Sequence, residues 1–179
     1  MKDKPIIYYA FFLMYWTGLR VGELLALNIN DIDLEKGVLS VTKSLNRVKS
    51  EDIVSEPKTQ RSIRKIHLPK FVLEKMKEYI NMLYGRTGSD RLFAVTKSHL
   101  EKEIKRGAEL AGLKKIRVHD LRHSHASLLI SKGVDIATIS NRLGHEKIST
   151  TLNTYSHMFE ASAVGVADML DDLYSGEAD

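Results

Sequence analysis

Apolar positions fall into blocks whose spacing changes along the chain. Residues 5–17 hold a dense apolar run from Ile6 to Trp16, closed by Gly18, and this reads as a buried helix. Helical spacing resumes in "LRVGELLALN", where Leu24, Leu25 and Leu27 are apolar. The pattern then shortens: "DIDLEKGVLSVTKSL" reads as strand, turn, strand, with Gly37 at the turn. "SEPKTQRSIRKIHLP" reads as a second extended pair ended by Pro69, although Ile63 and Ile66 do not alternate strictly. From there on the period is helical again. "KFVLEKMKEYINMLYG" puts Phe71, Leu73, Met76, Ile80 and Leu83 near one face, with Gly85 as the stop. "SHLEKEIKRGAELAGL" reads as a helix with Ser98 as its cap, and "DLRHSHASLLISKG" as one ending at Gly133. "DIATISNRLG" and "ISTTLNTYSHM" read as two short helices, and residues 160–174 as a last one. Helices, a small sheet in the N-terminal part, then many helices predict an α+β fold with segregated elements rather than a doubly wound sheet.

Composition narrows the class. A chain of 179 residues with 43% hydrophobic content suits one domain with a real core. The absence of cysteine excludes a disulfide framework and a thiolate metal site, and fits a reducing, cytoplasmic setting. The first apolar run is too short to span a bilayer and no small-residue cleavage site follows it, so neither a membrane span nor a signal peptide is expected. Charge is uneven. Residues 36–70 carry nine Lys or Arg against three acids, while residues 160–179 carry six acids and no Lys or Arg. A basic body predicts a polyanionic partner, and the acidic tail a different task.

The candidate chemistry sits in three stretches. In "VHDLRHSHAS", His119 and Arg122 are three apart, neighbours on one helical face. Leu121 and Leu128 lie on another face, where they can anchor the helix. An imidazole beside a planar guanidinium fork suits phosphate oxygens, though a solvated basic face reads equally well from this segment alone. In "TGLRVGELLALN", Arg20 follows a glycine stop, and Glu23 lies three residues on, placed to hold Arg20 in one rotamer. In "LGHEKISTTLNTYSH", Gly144 and His145 end one helix and Tyr155 follows in a polar setting. Such a tyrosine is either a packing residue or an available hydroxyl.

Together these residues resemble the catalytic domain of the tyrosine recombinases, the phage integrase family. The matching motifs are "TGLRVGELLAL", "PKTQRSIRKIHL", "HDLRHSHAS", "LGH" and "TTLNTYSH", in order, over about residues 10–158. The flavour is similar to integrases of bacterial conjugative transposons and phages. The resemblance implies that Arg20 and Arg122 are the catalytic arginines, and that His119 and His145 complete the phosphate site. It further implies that Lys58, at the tip of a hairpin, is the catalytic lysine and that Tyr155 is the nucleophile. It assigns no catalytic position to His123 or His125, which are expected to pack or cap.

The implied reaction is site-specific recombination or integration of double-stranded DNA through a 3′-phosphotyrosyl intermediate, with no cofactor and no metal. Lys58 is the expected acid for the leaving 5′-oxygen; the base for Tyr155 is left open, with His119 a candidate. Arg61, Arg64 and Lys65 are expected to contact the DNA backbone. The implied partner besides DNA is the protein itself, in a tetrameric synapse. Residues 1–179 are expected to form the catalytic domain, without arm-binding and core-binding domains. The tail near 160–179 is expected to dock by the stripe Val166, Met169, Leu170, Leu173 and Tyr174, onto its own domain or a neighbouring protomer. Two other readings compete. A non-catalytic helix-turn-helix-like module would explain the charge but leave Arg20, Lys58 and "HDLRH" as coincidences. A type IB topoisomerase-like enzyme shares the site logic, but His119 and the short step from His145 to Tyr155 favour the recombinase. For a metal-dependent nuclease using the histidines, no ligand spacing stands out.

Overall fold

The computed structural model describes residues 4–49, 51–56 and 59–176, without the side chains of 48, 60, 157 and 159–168. Helix α1 (Pro5–Thr17) opens with proline in its first turn, where the missing N–H costs nothing, and closes on Gly18 in the left-handed conformation, φ 70°. Its apolar run is core: Ile7, Leu13 and Met14 are fully buried. No helix among the described residues is long and apolar enough to cross a membrane. Helix α2 (Val21–Ala26) follows at once and buries Leu24 and Leu25.

Strands β1 (Ile32–Asp33), β2 (Val38–Val41) and β5 (Arg64–His67) form an antiparallel sheet in the order β1-β2-β5. Ile32 pairs with Leu39 and Leu39 with Ile66, so one buried face runs across all three strands. Strands β3 (Ser44–Val48) and β4 (Glu51–Ser55) make a separate hairpin whose β4 side is exposed throughout. The expected extended pair over residues 55–69 is therefore not a hairpin. Within that stretch Ser55 ends β4, Gln60–Ser62 form a 3-10 turn, and only Arg64–His67 are a strand, paired with β2 so that Ile66 meets Leu39 far back in the chain. The β3–β4 turn is at Lys49, and Lys58, expected at a hairpin tip, lies outside the described residues.

Helix α3 (Lys70–Met82) buries Val72, Met76 and Tyr79, and Tyr79 stacks between Tyr9 and Phe93. Phe71 is outside that face and packs edge-on against Trp16 instead. Helix α4 (Lys97–Leu110) is capped by Thr96, whose hydroxyl accepts from the His99 N–H, not by Ser98. Helices α5 (Asp120–Ser131) and α6 (Ile136–Leu143) match the expected stretches, with Asp135 capping α6 and Gly144 closing it at φ 68°. The last two expected helices are one, α7 (Ile148–Ser175). No proline interrupts it, and the glycine at 165 is tolerated at a cost of about 1 kcal/mol relative to alanine.

On α5, Leu121 packs half-buried against the core as expected, but Arg122 and His125 are buried with Ala126 and Ile130, deeper than Leu121 and Leu128. Tyr155 joins Ala126, Ile130, Ile139 and Leu143 in a second core cluster between α5, α6 and α7.

Candidate active site

Three guanidinium groups converge on the end of α6. Arg64 Nε donates to the Arg142 carbonyl at 2.8 Å, Arg122 Nη2 to that of Leu143 at 2.8 Å and Arg20 Nη2 to that of Gly144 at 3.2 Å. The last carbonyls of a helix lack intrahelical donors and carry its negative end, so cations are favoured there. Gly144 is required twice over: its φ is left-handed, and a Cβ would stand 2.9 Å from an Arg64 nitrogen.

Glu23 holds two of these arginines from the other side. It is 3% exposed and takes Arg64 in a two-pronged pair, Nη1 at 3.0 Å and Nη2 at 2.9 Å. The same carboxylate accepts the Arg20 N–H and Nη1, each at 2.8 Å, closing a capping box at the start of α2. Burial alone would raise its pKa, but the hydrogen bonds and charge of Arg64, with those of Arg20, bring it below the ordinary value. The pairing of Arg20 with Glu23 is as the sequence implies. Arg64 is not: its side chain is 6% exposed and spent on Glu23, so it belongs to the scaffold of the site and not to a DNA-facing surface. Arg61 and Lys65 are exposed, as a backbone-contacting role needs, and Arg61 Nη1 also reaches the Glu146 carbonyl at 2.8 Å.

Arg122 is 3% exposed and bridges two loops, donating to Gly18 O at 2.6 Å as well as to Leu143 O. Gly18 has no room for a side chain, since a Cβ would come within 2.7 Å of the His125 ring. Burial, then the nearby charge of Arg20, pushes the Arg122 pKa down to about 9, which still leaves it cationic at neutral pH. His145 follows Gly144 directly. Its Nδ1 is hydrogen-bonded to the Thr151 hydroxyl at 2.6 Å, which fixes the ring. Burial, then the charges of Arg122, Arg20 and Arg64, takes its pKa down to about 4, so the ring is neutral near pH 7.

His119 is the N-cap residue of α5 and is exposed; burial of part of the ring, then His123 and Arg122, lowers its pKa. Tyr155, on the second turn of α7, is 4% exposed, and burial raises its pKa against the pull of Arg122. Its hydroxyl is hydrogen-bonded to His123 Nδ1 at 2.8 Å. His125 is a packing residue: it accepts from Arg142 Nε at 3.1 Å, and burial, then the Arg142 charge, takes it down to about 4. The structure thus brings together Arg20, Arg122, His145 and Tyr155 around the α5–α6–α7 junction, with His119 at its exposed edge. It adds Glu23, Arg64, Thr151 and His123 as their holders. Of these, Glu23 was legible from its spacing to Arg20. The contacts of Thr151 and His123 cross between elements, and no local pattern signals them.

The phage integrase family model matches residues 2–162. The chain belongs to the phage integrase family. Its integrase relatives include the ICEBs1 integrase of Bacillus subtilis, 35% identical over 96% of this chain and 50% of that protein. A further relative is the tyrosine recombinase XerA of Pyrococcus furiosus, 33% identical over 99% of this chain and 58% of that protein. Among solved structures, the Tn1549 transposon integrase in complex with transposon right end DNA superposes with a TM-score of 0.73. It is 27% identical over 92% of this chain and 58% of that one. The XerH site-specific recombinase in its post-cleavage complex gives 0.65, at 28% identity over 92% of this chain and 46% of that one. The chain spans about half the length of the curated relatives it matches. The α+β fold expected from the order of elements is that of these integrases and recombinases.

Proposed function

We propose that this chain is the catalytic domain of a site-specific DNA recombinase that cuts and rejoins double-stranded DNA through Tyr155. The observation that supports the reading is the common seat at the end of α6, where Arg20 and Arg122 are held beside His145, with Tyr155 within electrostatic reach of Arg122. The phenolic oxygen attacks a phosphodiester, a 3′-phosphotyrosyl bond forms, and a 5′-hydroxyl leaves. A 5′-hydroxyl from another strand reverses the step, so the phosphoester bond is conserved.

Charge builds on the non-bridging oxygens in the transition state. Arg20 and Arg122 are already fixed by backbone carbonyls and Glu23, so they answer that charge without reorganising. A neutral His145 with Nδ1 engaged by Thr151 donates from its remaining N–H. Lys58 serves as the acid for the leaving oxygen by family resemblance. Arg61 and Lys65 line the backbone path. The exposed Met169, Leu170, Leu173 and Tyr174 on α7 form the face through which a second copy would engage in a synapse; the side chain of Val166 lies outside the described residues. The setting is the cytoplasm, where DNA is accessible.

The test is a nicked suicide duplex carrying the protein's attachment site, incubated with EDTA and resolved on a denaturing gel. Wild type yields a covalent protein–DNA adduct, Tyr155→Phe yields none while still binding, and Arg122→Ala loses roughly 10²-fold or more in rate. An equal adduct from the Phe variant overturns Tyr155 as nucleophile. Binding without any adduct from wild type favours a DNA-binding module.

A further inference from the structure

Attack by a phenol requires somewhere for its proton to go, and at Tyr155 the surroundings make that need acute. The ring is locked in the α5–α6–α7 core cluster and only its hydroxyl reaches the site. An isolated phenol has a pKa of about 10, so nearly all of it is protonated near neutrality. His119, one candidate for the base, has no hydrogen bond to Tyr155; its ring meets His123 edge-on, with centroids 4.8 Å apart. The group at hydrogen-bond distance is His123, one turn further along α5, with Nδ1 at 2.8 Å from the Tyr155 oxygen. A phenolic O–H is the better donor and an imidazole nitrogen the better acceptor, so Tyr155 donates and Nδ1 receives. The distance is already that required of a general base.

We propose that His123 is the base of the cleavage step, a catalytic residue for the reaction assigned above, on which this role rests. As the Tyr155 oxygen bonds to phosphorus, its proton passes to His123 Nδ1 and leaves an imidazolium. The bond from phosphorus to the 5′-oxygen breaks on the opposite side, and that oxygen takes its proton from a separate acid. On rejoining, the 5′-hydroxyl returns its proton to the conjugate base of that acid as it bonds to phosphorus, the phosphotyrosyl bond breaks, and the imidazolium returns its proton to Tyr155. Asp120 on the same helix interacts electrostatically with His123, and the His119 ring meets it edge-on. His123 also lines the open groove between α5 and α7 with Asp120 and Met158, so a small buffer molecule has a route to the position.

The experiment measures single-turnover cleavage by wild type, His123→Ala and His123→Asn. The substrates are a normal duplex and one whose bridging 5′-oxygen at the scissile phosphate is sulfur. Asparagine keeps an acceptor near Nδ1 but cannot take up the proton, so it separates seating the tyrosine from deprotonating it. Both variants are expected to bind DNA as wild type does and to cleave about 10²- to 10⁴-fold more slowly. The sulfur substrate, whose leaving thiolate needs no acid, should leave both defects in place while relieving that of Lys58→Ala. Added imidazole should restore part of the His123→Ala rate. Wild-type cleavage by His123→Asn would reduce His123 to a seat for Tyr155, and relief of either variant by sulfur would place it on the leaving-group side. An adduct absent even from wild type would overturn the recombinase reading itself, and this role with it.

Discussion

Replacing Glu23 by glutamine keeps the shape of the side chain and removes one charge from the centre of the site. Four hydrogen bonds end on this carboxylate, two from Arg20 and two from Arg64. Arg20 is more than a third exposed and can turn to water, so its pairing contributes little to stability. Arg64 cannot: its side chain is 6% exposed. Removing one partner of a buried pair costs about 3–5 kcal/mol, because the other charge is left uncompensated. Arg64 keeps its bonds to the carbonyls of Arg142 and Ser62, which places the cost at the lower end, about 3 kcal/mol. In a chain of this size that lowers the melting temperature by about 6–12 °C. The carboxyl pKa is depressed in the folded state, so its contribution is fully present above the ordinary carboxylate range and is lost as pH falls through the lowered value. The deficit of the variant should therefore be constant from pH 6 to pH 8 and shrink in acid. Urea denaturation at several pH values measures this. The double variant Glu23→Gln with Arg64→Met should recover much of the stability, since the orphaned charge is gone, yet not the cleavage rate, since Arg20 has lost its charged partner and keeps only the Gly144 carbonyl. A loss below about 1 kcal/mol for the single variant, or a double variant no more stable than the single, would refute the account.

Thr151→Val should leave the fold intact and slow cleavage by about 10-fold or more, because His145 loses the bond at Nδ1 that orients it; suicide-substrate kinetics checks this. His125 is neutral in the fold with its pKa near 4, so the unfolded chain binds the extra proton first and stability falls as pH drops from about 6.5 towards 4, by about 2–3 kcal/mol from this group. Denaturation midpoints across that window, with His125→Gln as the flatter control, measure it. Lys65→Ala should reduce the slope of log affinity against log salt by about 0.9, whereas Arg64→Met, with its charge buried and paired, should change the slope far less. Fluorescence anisotropy at several salt concentrations separates the two.

Glycine, capping and apolar spacing made most helices readable, because each is a local rule: Gly18, Gly133 and Gly144 end their helices as their positions imply. The sheet was half readable. Turn chemistry at Gly37 marks β1 and β2, but the partner of β5 depends on a contact between Leu39 and Ile66 that no short window contains. Arg64 illustrates the same limit within the site. A basic run "RSIRK" looks uniformly solvated until the fold brings Glu23 under one member of it and leaves Lys65 outside. Nothing local marks His123, because the resemblance names only the residues around it and its partner lies 32 positions away on another helix.

The seating of Arg64, Arg122 and Arg20 on the consecutive carbonyls of residues 142, 143 and 144 makes one short peptide segment the datum from which three charges are measured. Errors there are shared and not independent. Glu23 and the Gly18 carbonyl hold the same arginines from the other side, so a shift of that segment strains all three seats together. A change of length does more. Deleting one residue from α6 turns its end by about 100° and withdraws it by about 1.5 Å, so all three seats are lost in a single event. Side chains along α6 are thus open to change so long as they pack, while its length admits almost none.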